Sequence, residues 1–431
     1  MIYEQDISGC LASEKESRRL SENQFDKELD DSVVAFERLR QAYDKSELPV
    51  LRNSSPKSFL KSIRILADEV RSKANHVVIL GAGGSSLGGK ALVSLKNNLG
   101  GGYAHPKIYF FENIDPFSLD ELLEHLELVK TVFIVVSKSG RTASTIAQFL
   151  ACLSALSSLP PKVQLSEHFI VITDPGDNPL RSHAINLSMN VLAHDPRVGG
   201  RFSVLSIVGQ LPAMIAGLDC EAILEGAQTV LKSTVSSKHP RDSEVVRGAA
   251  VTVALNKRCG ITANVMMPYS DRLRSFALWY RQLAAESLGK NGLGITPIDA
   301  IGTVDQHSQL QLYLDGPADK MFTLIASDTL GKGRQIDAGS SNEAILRDLN
   351  GHTVGDLIAA EYQATACSLL EEGHPVRRFH LSGVTEEVLG SLFMHFMLET
   401  IVAADLYGVN AYSQPAVEQG KKMALQYLVN L

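Results

Sequence analysis

The chain has 431 residues, of which 45% are hydrophobic and 21% are charged, as is ordinary for a globular protein of two or three domains. Its formal charge of −7 gives no sign of a nucleic-acid or membrane-surface partner. Five scattered cysteines without a CxxC pair argue against a disulfide framework or a structural zinc site. We find no signal peptide and expect no membrane span. These features predict a cytoplasmic protein.

The first half of the chain alternates between short apolar runs and amphipathic patterns. Residues 1–60 are more polar, with weak helical periodicity, and predict an N-terminal helical arm. Residues 61–230 predict βαβ units, and therefore a parallel sheet with helices on both faces. The predicted strands are 76–81, 107–112, 131–137, 168–174 and 190–194, and the helical patterns begin at Ser85, Ser118, Arg141, Asp177 and Phe202.

The same alternation resumes after a polar stretch at 232–240, which is typical of a crossing between domains. Residues 240–408 therefore predict a second α/β domain, in which the polar residues 331–352 form a surface loop. Residues 409–431 predict a tail helix, because Pro415 suits a first helical turn. The predicted strands are 261–267, 321–327 and 376–382, and the helices are 242–257, 271–287, 354–372 and 386–407.

Two turns of small residues follow predicted strands in the first domain. Gly83-Gly84-Ser85 follows the strand at 76–81, and the turn from Ser137 to Thr142 follows the strand at 131–137. Such turns lie at the C-terminal edge of a parallel sheet, where the next helix offers free N–H groups to an anion. Small residues allow close approach, and hydroxyl groups add donors. The two turns together predict a site for one phosphate monoester.

The first turn also resembles two nucleotide-binding motifs without completing either. The segment from Gly84 to Lys90 nearly spells a triphosphate-binding loop, but Ala91 stands where a hydroxyl should hold Mg²⁺. The spacing Gly81-x-Gly83-x-x-Ser86 lacks the third glycine of a dinucleotide fingerprint. Nucleotide binding is therefore disfavoured, while a tight turn without any ligand stays open for this segment taken alone.

Other segments offer side chains for chemistry. Gly199-Gly200-Arg201 opens a helical pattern, and its arginine has a fixed fork of donors for an oxyanion or phosphate. Glu286 ends a long helix beside alanines, and partial desolvation of a carboxylate raises its pKa, which suits a general base. His307 lies in a polar loop, while Gln414 and Lys421 lie in the tail. For each of these residues, a solvated surface group without a catalytic role stays open as the alternative.

Together these segments resemble the glucose-6-phosphate isomerase (phosphoglucose isomerase) family, whose order they follow between residues 76 and 422. The resemblance implies two sugar-isomerase (SIS) domains at 61–230 and 240–408, each a flavodoxin-like parallel-sheet αβα sandwich, and a C-terminal helical tail carrying Lys421. The match is carried by Gly83-Gly84-Ser85, Ser137-Lys138-Ser139, Gly199-Gly200-Arg201, Glu286-Ser287, Gln306-His307-Ser308 and Gln414 to Lys421.

The resemblance also implies an activity and its residues. The activity is an aldose–ketose isomerase that interconverts glucose 6-phosphate and fructose 6-phosphate in glycolysis and gluconeogenesis, by ring opening and proton transfer through a cis-enediolate. Glu286 would move the proton, and Arg201 would stabilise the enediolate. His307 and Lys421 would serve ring opening. The substrate-binding residues would be Gly84, Ser85, Ser137, Lys138, Ser139, Thr142 and Gln414.

The family resemblance implies no metal or organic cofactor, and a homodimer in which His307 is donated across the interface. The sequence departs from the family at Arg141 and Ser144, where a threonine and an acidic residue are usual, and at Asp305, which replaces a common glycine. Two alternatives stay open. One is a phosphosugar isomerase of other or broader specificity, such as for mannose 6-phosphate. The other is a non-catalytic SIS-type regulator that binds sugar phosphates and needs only the serine turns.

Overall fold

The computed structural model describes residues 2–12, 18–49, 57–96, 106–159, 163–341 and 343–431. The strands within these ranges are β1 Tyr3–Asp6, β2 His76–Leu80, β3 Lys107–Phe111, β4 Thr131–Val136, β5 Phe169–Thr173, β6 Asn190–Ala193, β7 Ala263–Pro268, β8 Thr296–Asp299, β9 Lys320–Ser327 and β10 Val376–Leu381. The helices are α1 Glu22–Asp31, α2 Val33–Asp44, α3 Lys57–Lys73, α4 Leu87–Val93, α5 Pro116–His125, α6 Ala143–Ser157, α7 Pro179–Asn186, α8 Ile207–Ile215, α9 Cys220–Ser236, α10 Glu244–Cys259, α11 Arg274–Leu288, α12 Val304–Ser308, α13 Leu310–Asp315, α14 Ala344–Leu349, α15 Val354–Glu371, α16 Glu386–Tyr407 and α17 Glu418–Val429.

The first sheet has the order β3-β2-β4-β5-β6, and every neighbouring pair in it is parallel. Counted from its own first strand, this is the flavodoxin-like order of doubly wound α/β folds. β4 is buried along its whole length because helices cover both faces, which explains its unbroken apolar sequence. The five strands predicted from the sequence are confirmed, and the ends of β2 and β4 lie side by side.

The second sheet repeats this plan with one change. Its order is β1-β10-β9-β7-β8, in which β7 to β10 are parallel and β1 pairs antiparallel with β10. The N-terminal strand thus takes the position that a fifth parallel strand has in the first sheet. The sequence did not predict β1 or β8, because each has four residues at a sheet edge and β8 contains Pro297. The α/β class with two parallel-stranded sheets is confirmed.

A buried polar network attaches β1 to the second sheet. Arg377 donates from Nε to Gln5 Oε1 at 2.9 Å and from Nη1 to Glu399 Oε1 at 2.8 Å. Tyr3 and His395 are joined at 2.6 Å between the phenol oxygen and Nδ1. Burial alone would raise the pKa of Glu399, but Arg377 and His395 outweigh it and lower that pKa to about 2. The N-terminal segment is therefore part of this half of the molecule.

Helix α16 corrects the expectation that no segment could span a membrane. By length and composition this helix is long and apolar enough to cross a membrane. However, 89% of its most apolar 18-residue window is buried inside the fold. It packs against α9, α10 and α11. α16 is therefore a core helix that joins the two halves, and its uniform apolar character follows from burial on all sides.

The stretch predicted as a crossing between domains and the stretch predicted as a loop both contain helix. α9 continues into the polar stretch at 232–240 as far as Ser236, because Val230, Leu231 and Thr234 form a buried face that the local composition hides. The predicted loop at 331–352 contains α14, whose residues are not buried. α3, α9, α12 and α13 were also not predicted. The domain boundaries near residues 60, 230–240 and 408 remain predictions, and residues 50–56 lie outside the described residues.

Candidate active site

The two serine-containing turns lie against each other at the C-terminal edge of the first sheet. A Cβ atom added to Gly81 would stand 2.9 Å from the carbonyl oxygen of Val136, so the first turn leaves no room there for a side chain. Ser137 donates from its hydroxyl group to Thr142 Oγ1 at 3.0 Å and closes the second turn. The adjacency of the two turns, expected from the parallel order of β2 and β4, is therefore present.

The second turn has backbone N–H groups that are available to an anion. Gly140 has φ +59°, and a Cβ atom there would lie 1.8 Å from Asn178 Oδ1, so glycine is required by both conformation and space. Among the described residues, no hydrogen bond engages the backbone N–H groups of Lys138, Ser139 and Thr142. Unpaired N–H groups before a helix N-terminus attract negative charge, which fits a phosphate group.

The first turn also contacts the turn that carries Arg201. A Cβ atom on Gly84 would stand 2.2 Å from the carbonyl carbon of Gly200 and 2.6 Å from the backbone nitrogen of Arg201. Ser203 donates from its hydroxyl group to the Gly84 carbonyl at 3.1 Å. The position of Arg201 is therefore set directly by the first turn, and Ser85 follows Gly84 in the same short 3₁₀ helix.

Arg201 is the centre of the candidate site. Its side chain is 1% exposed, although it sits in a single 3₁₀ turn, and it joins three separate parts of the chain. Because burial disfavours the charged form, the Arg201 pKa is lowered, while Glu286 opposes that shift. Its hydrogen bonds run from Nε to Ser287 Oγ (2.8 Å), from Nη1 to Glu286 Oε2 (3.1 Å) and Gln414 Oε1 (2.6 Å), and from Nη2 to the carbonyls of Ala411 (2.5 Å) and Ser413 (3.1 Å).

Glu286 lies near the C-terminal end of α11 and is 32% exposed. Its second carboxylate oxygen accepts from Gln282 Nε2 at 2.9 Å, one helical turn earlier. The carboxylate is thus held between an amide and a guanidinium group and still faces solvent. A group fixed in this way can accept a proton from a molecule bound in front of it.

Two lysines, Lys290 and Lys138, interact electrostatically with Arg201 of the Arg201–Glu286 pair. Lys290 donates to the carbonyl oxygens of Glu286 at 2.7 Å and Ser287 at 2.5 Å. Burial first, and then Arg201, lower the pKa of Lys290 to about 8, and Glu286 opposes the change. Burial also lowers the pKa of Lys138, and Arg201 adds to that shift. Cations that disfavour one another's charge are stabilised by an anionic ligand.

His307 and Lys421 are not brought to this pair. His307 is exposed on α12, which follows β8, whereas Glu286 precedes β8 in the chain. Lys421 is 63% exposed on α17 and donates to Glu418 Oε1 at 2.7 Å. Within the described ranges, no hydrogen bond or ion pair links either residue to Arg201 or Glu286.

Of the residues singled out in the sequence, Arg201, Glu286 and Gln414 are in direct contact, and Gly84 supports Arg201. Gln282 was missed, although its i, i+4 spacing from Glu286 on a predicted helix was a usable signal. Asn178 was also missed, because no local sequence pattern indicated that its side chain would pack against Gly140. Arg141 is exposed beside the second turn. In the part of the chain described, no group of three His, Cys, Asp or Glu side chains could hold a metal ion.

A family model and similar curated proteins point to the same family. The family model described as phosphoglucose isomerase matches residues 57–296. The chain is 40% identical over 365 residues to a glucose-6-phosphate isomerase of Rubrobacter xylanophilus, with 83% of this chain and 84% of that relative covered. It is 36% identical over 445 residues to the glucose-6-phosphate isomerase of Carboxydothermus hydrogenoformans, with 98% and 94% covered.

Two solved structures share the whole fold. A hypothetical protein from Thermus thermophilus superposes with a TM-score of 0.86 at 29% identity, covering 99% of both chains. A glucose-6-phosphate isomerase from Chlamydia trachomatis superposes with a TM-score of 0.78 at 21% identity, covering 98% of this chain and 90% of the other. The second likeness concerns the fold alone.

Proposed function

The chain belongs to the phosphoglucose isomerase family, and from that premise we propose how its residues interconvert glucose 6-phosphate and fructose 6-phosphate, a step of glycolysis and gluconeogenesis. The observation that carries the proposal is the ion pair between Arg201 and Glu286, at 3.1 Å beside two phosphate-sized turns. A carboxylate, a guanidinium group and a phosphate anchor are what an aldose–ketose isomerisation without a redox cofactor requires.

The phosphate group of the substrate binds between the two turns. The N–H groups of the second turn, the small first turn and the nearby Lys138 ammonium group support this assignment. The contributing residues in our proposal are Gly84, Ser85, Ser137, Lys138, Ser139 and Thr142. Binding at the phosphate, remote from the reacting carbons, fixes the sugar chain so that its C1 and C2 lie at the carboxylate.

Glu286 carries the proton. It removes the proton from C2 of the open-chain aldose and returns it to C1, and the reverse transfer converts the ketose to the aldose. The electron pair left on C2 forms the C1–C2 double bond of a cis-enediolate while the C1 carbonyl oxygen becomes the anion. When Glu286 returns the proton to C1, the C2 hydroxyl proton passes to this oxygen, so that C2 becomes the carbonyl carbon and C1 carries a hydroxyl group. The partly exposed carboxylate, held by Gln282 and Arg201, supports this role because its direction is fixed before substrate binds.

Arg201 stabilises the charge that develops on the enediolate oxygen. All five donors of Arg201 have protein partners, so an enediolate oxygen must replace one of them. The Gln414 side chain is the exposed partner, and we propose that it yields this position and then contacts the sugar. A preorganised cation in a buried site supplies electrostatic stabilisation at little reorganisation cost.

Ring opening is assigned to His307 and Lys421, with His307 coming from a second copy in a homodimer. The exposure of His307, and its position beyond β8 from Glu286, support donation to a neighbouring subunit. β8 has four residues and spans about 13 Å, so the segment before it and α12 after it lie at opposite ends of this strand. Lys421 is paired with Glu418 on an exposed helix, so its role requires the tail helix to rearrange.

We also propose a cytoplasmic location and a small sugar phosphate as the ligand, without nucleic-acid or membrane partners. The five cysteines form no disulfide, which supports a reducing compartment. The net charge of −7 gives no sign of a nucleic-acid partner. The proposed anion site thus depends on local donors rather than on overall charge.

The test is conversion of fructose 6-phosphate to glucose 6-phosphate in excess EDTA, read by a coupled dehydrogenase. We expect robust turnover. Comparable turnover of mannose 6-phosphate would favour the phosphosugar isomerase of broader specificity. Turnover that disappears with EDTA and returns with a divalent cation would contradict the metal-free mechanism. Binding of fructose 6-phosphate without turnover would favour the sugar-phosphate-binding regulator instead.

A further inference from the structure

The Asp305 carboxylate makes three hydrogen bonds in the segment that carries His307. α12 has only five residues, and helices this short are not stable without outside contacts. Asp305 Oδ2 accepts from the backbone N–H of Ile301 at 2.7 Å, and Oδ1 accepts from Ser308 Oγ at 2.8 Å and Gln309 Nε2 at 2.9 Å. Burial opposes ionisation of Asp305, but these bonds outweigh it and lower its pKa.

The carboxylate and the imidazole lie on different faces of α12. Residues at i, i+3 and i+4 share a helical face, so Asp305, Ser308 and Gln309 point the same way, toward the loop at Ile301. His307 is two positions after Asp305, about 200° around the helix, and is exposed. The face that carries Asp305 is thus fixed by hydrogen bonds, and the opposite face carries the exposed histidine.

A second contact holds the residue before His307. The phenol group of Tyr269 donates to Gln306 Oε1 at 2.6 Å, and the tyrosine is 3% exposed. A Cβ atom added to Gly302 would stand 2.6 Å from the ring of Tyr269, so the loop before α12 packs closely on this side chain. The neighbours of His307 on both sides are therefore fixed, although in the described part of the chain no hydrogen bond or ion pair links His307 to Arg201 or Glu286.

We propose that Asp305 is a positioning residue for the isomerase reaction: its carboxylate orients α12 so that His307 is presented to the active site of a second copy of the chain. This inference rests on the proposed function. An exposed side chain that must enter another subunit's site loses rotational freedom on docking, and a backbone already fixed reduces that cost. Asp305 therefore acts on ring opening and not on proton transfer.

The experiment compares two substrates. Fructose 6-phosphate is mainly cyclic and needs ring opening, whereas 5-deoxyfructose 6-phosphate lacks the ring hydroxyl and is always open. For Asp305→Asn we expect kcat/KM on fructose 6-phosphate to fall between about tenfold and a hundredfold, because a small misplacement of a catalytic group has this effect. Turnover of the open-chain substrate should stay within about twofold of wild type, as for a group outside the proton-transfer step.

Three variants accompany it. Ser308→Ala removes one bond of the same carboxylate without touching Asp305, and it should show a smaller loss with the same substrate preference. Asp315→Asn, an exposed carboxylate on the next short helix that accepts from Gln311 at 3.2 Å, is the matched control and should leave both substrates unaffected. His307→Ala should lose turnover of the cyclic substrate selectively, by more than Asp305→Asn.

The outcomes separate the two proposals. Equal losses on both substrates in His307→Ala would contradict the ring-opening role in the proposed function. A selective loss in His307→Ala together with wild-type behaviour of Asp305→Asn and Ser308→Ala would overturn the Asp305 inference alone. Equal losses on both substrates in the Asp305 and Ser308 variants would also overturn it, since they would reflect destabilisation of the fold.

Discussion

Arg201 is the residue at which the parts of the molecule meet. Its partner Glu286 is 85 residues away in the chain and its partner Gln414 is 213 residues away. The sequence could mark the arginine as a candidate because two glycines precede it. It could not show that the side chain would be buried with carbonyl partners at Ala411 and Ser413, because those contacts depend on packing between remote segments.

Lys290 gives the site a pH dependence. Burial lowers its pKa to about 8, so it loses its proton in the folded protein at a pH where an unfolded chain keeps it. We expect kcat/KM to fall as pH rises through about 8, because a cation beside the anionic intermediate is lost. In Lys290→Arg the fall should move to higher pH, since arginine stays charged.

A control fixes the interpretation of that profile. Lys73→Arg, an exchange of an exposed lysine on α3, should leave the profile unchanged. Identical alkaline limbs of the pH profile in wild type and Lys290→Arg would rule out Lys290 as their source.

The linked effect of Lys290 on the stability of the fold has the opposite sign. Because the folded pKa is lowered, the unfolded chain binds more protons above pH 8, and this group's contribution to stability rises with pH there.

At the scale of elements, the strand–turn–helix units could be predicted from the sequence, whereas the edge strands of the second sheet could not. The apolar, β-branched sequences of β2 and β4 predicted buried strands, and the parallel pairing of these strands predicted that the turns after them lie side by side. β1 was not readable, since its stability comes from pairing with β10 and from the Arg377 network. The tail helix α17 was predicted, but its exposure in the single chain was not.

The contact between the first turn and the Arg201 turn has a direct test. Gly84→Ala would put a Cβ atom 2.2 Å from a backbone carbon of Gly200, so the two turns must separate. We expect a loss of about 1–3 kcal/mol of stability, typical of overpacking, together with a large loss of turnover. The measurements are the thermal unfolding midpoint and the coupled isomerase assay.

Gly199→Ala is the matched control for stability. Its Cβ atom would lie 3.6 Å from Phe202, an ordinary contact, and its φ of −66° suits alanine. The change in stability should therefore stay within about 0.5 kcal/mol. Equal unfolding midpoints for the two variants would contradict the close packing of the turns.

At the scale of the whole molecule, two similar halves meet so that each supplies part of one site. The first half gives the turns and Arg201, and the second half gives Glu286. His307 belongs to the same half as Glu286 but lies beyond β8. In the twofold dimer that we propose, each site would receive its histidine from the other subunit.

Subunit hybrids test this arrangement. In a hybrid of Glu286→Gln and His307→Ala subunits, one site receives a native glutamate from one chain and a native histidine from the other. We expect about half of the wild-type turnover on fructose 6-phosphate, since one of two symmetric sites is intact. Each parent homodimer should stay far below that value. Hybrid activity no greater than the mean of the parents would show that both residues act within one chain.

The central claim is that Glu286 moves the proton, and turnover of Glu286→Gln beside its binding of fructose 6-phosphate tests it most directly. The amide keeps the size of the side chain and an acceptor for Arg201 but cannot carry the proton. We predict that kcat falls by about 10²–10⁴-fold, while calorimetry finds the dissociation constant nearly unchanged. Turnover close to wild type would contradict the account, because the proton would then have another carrier.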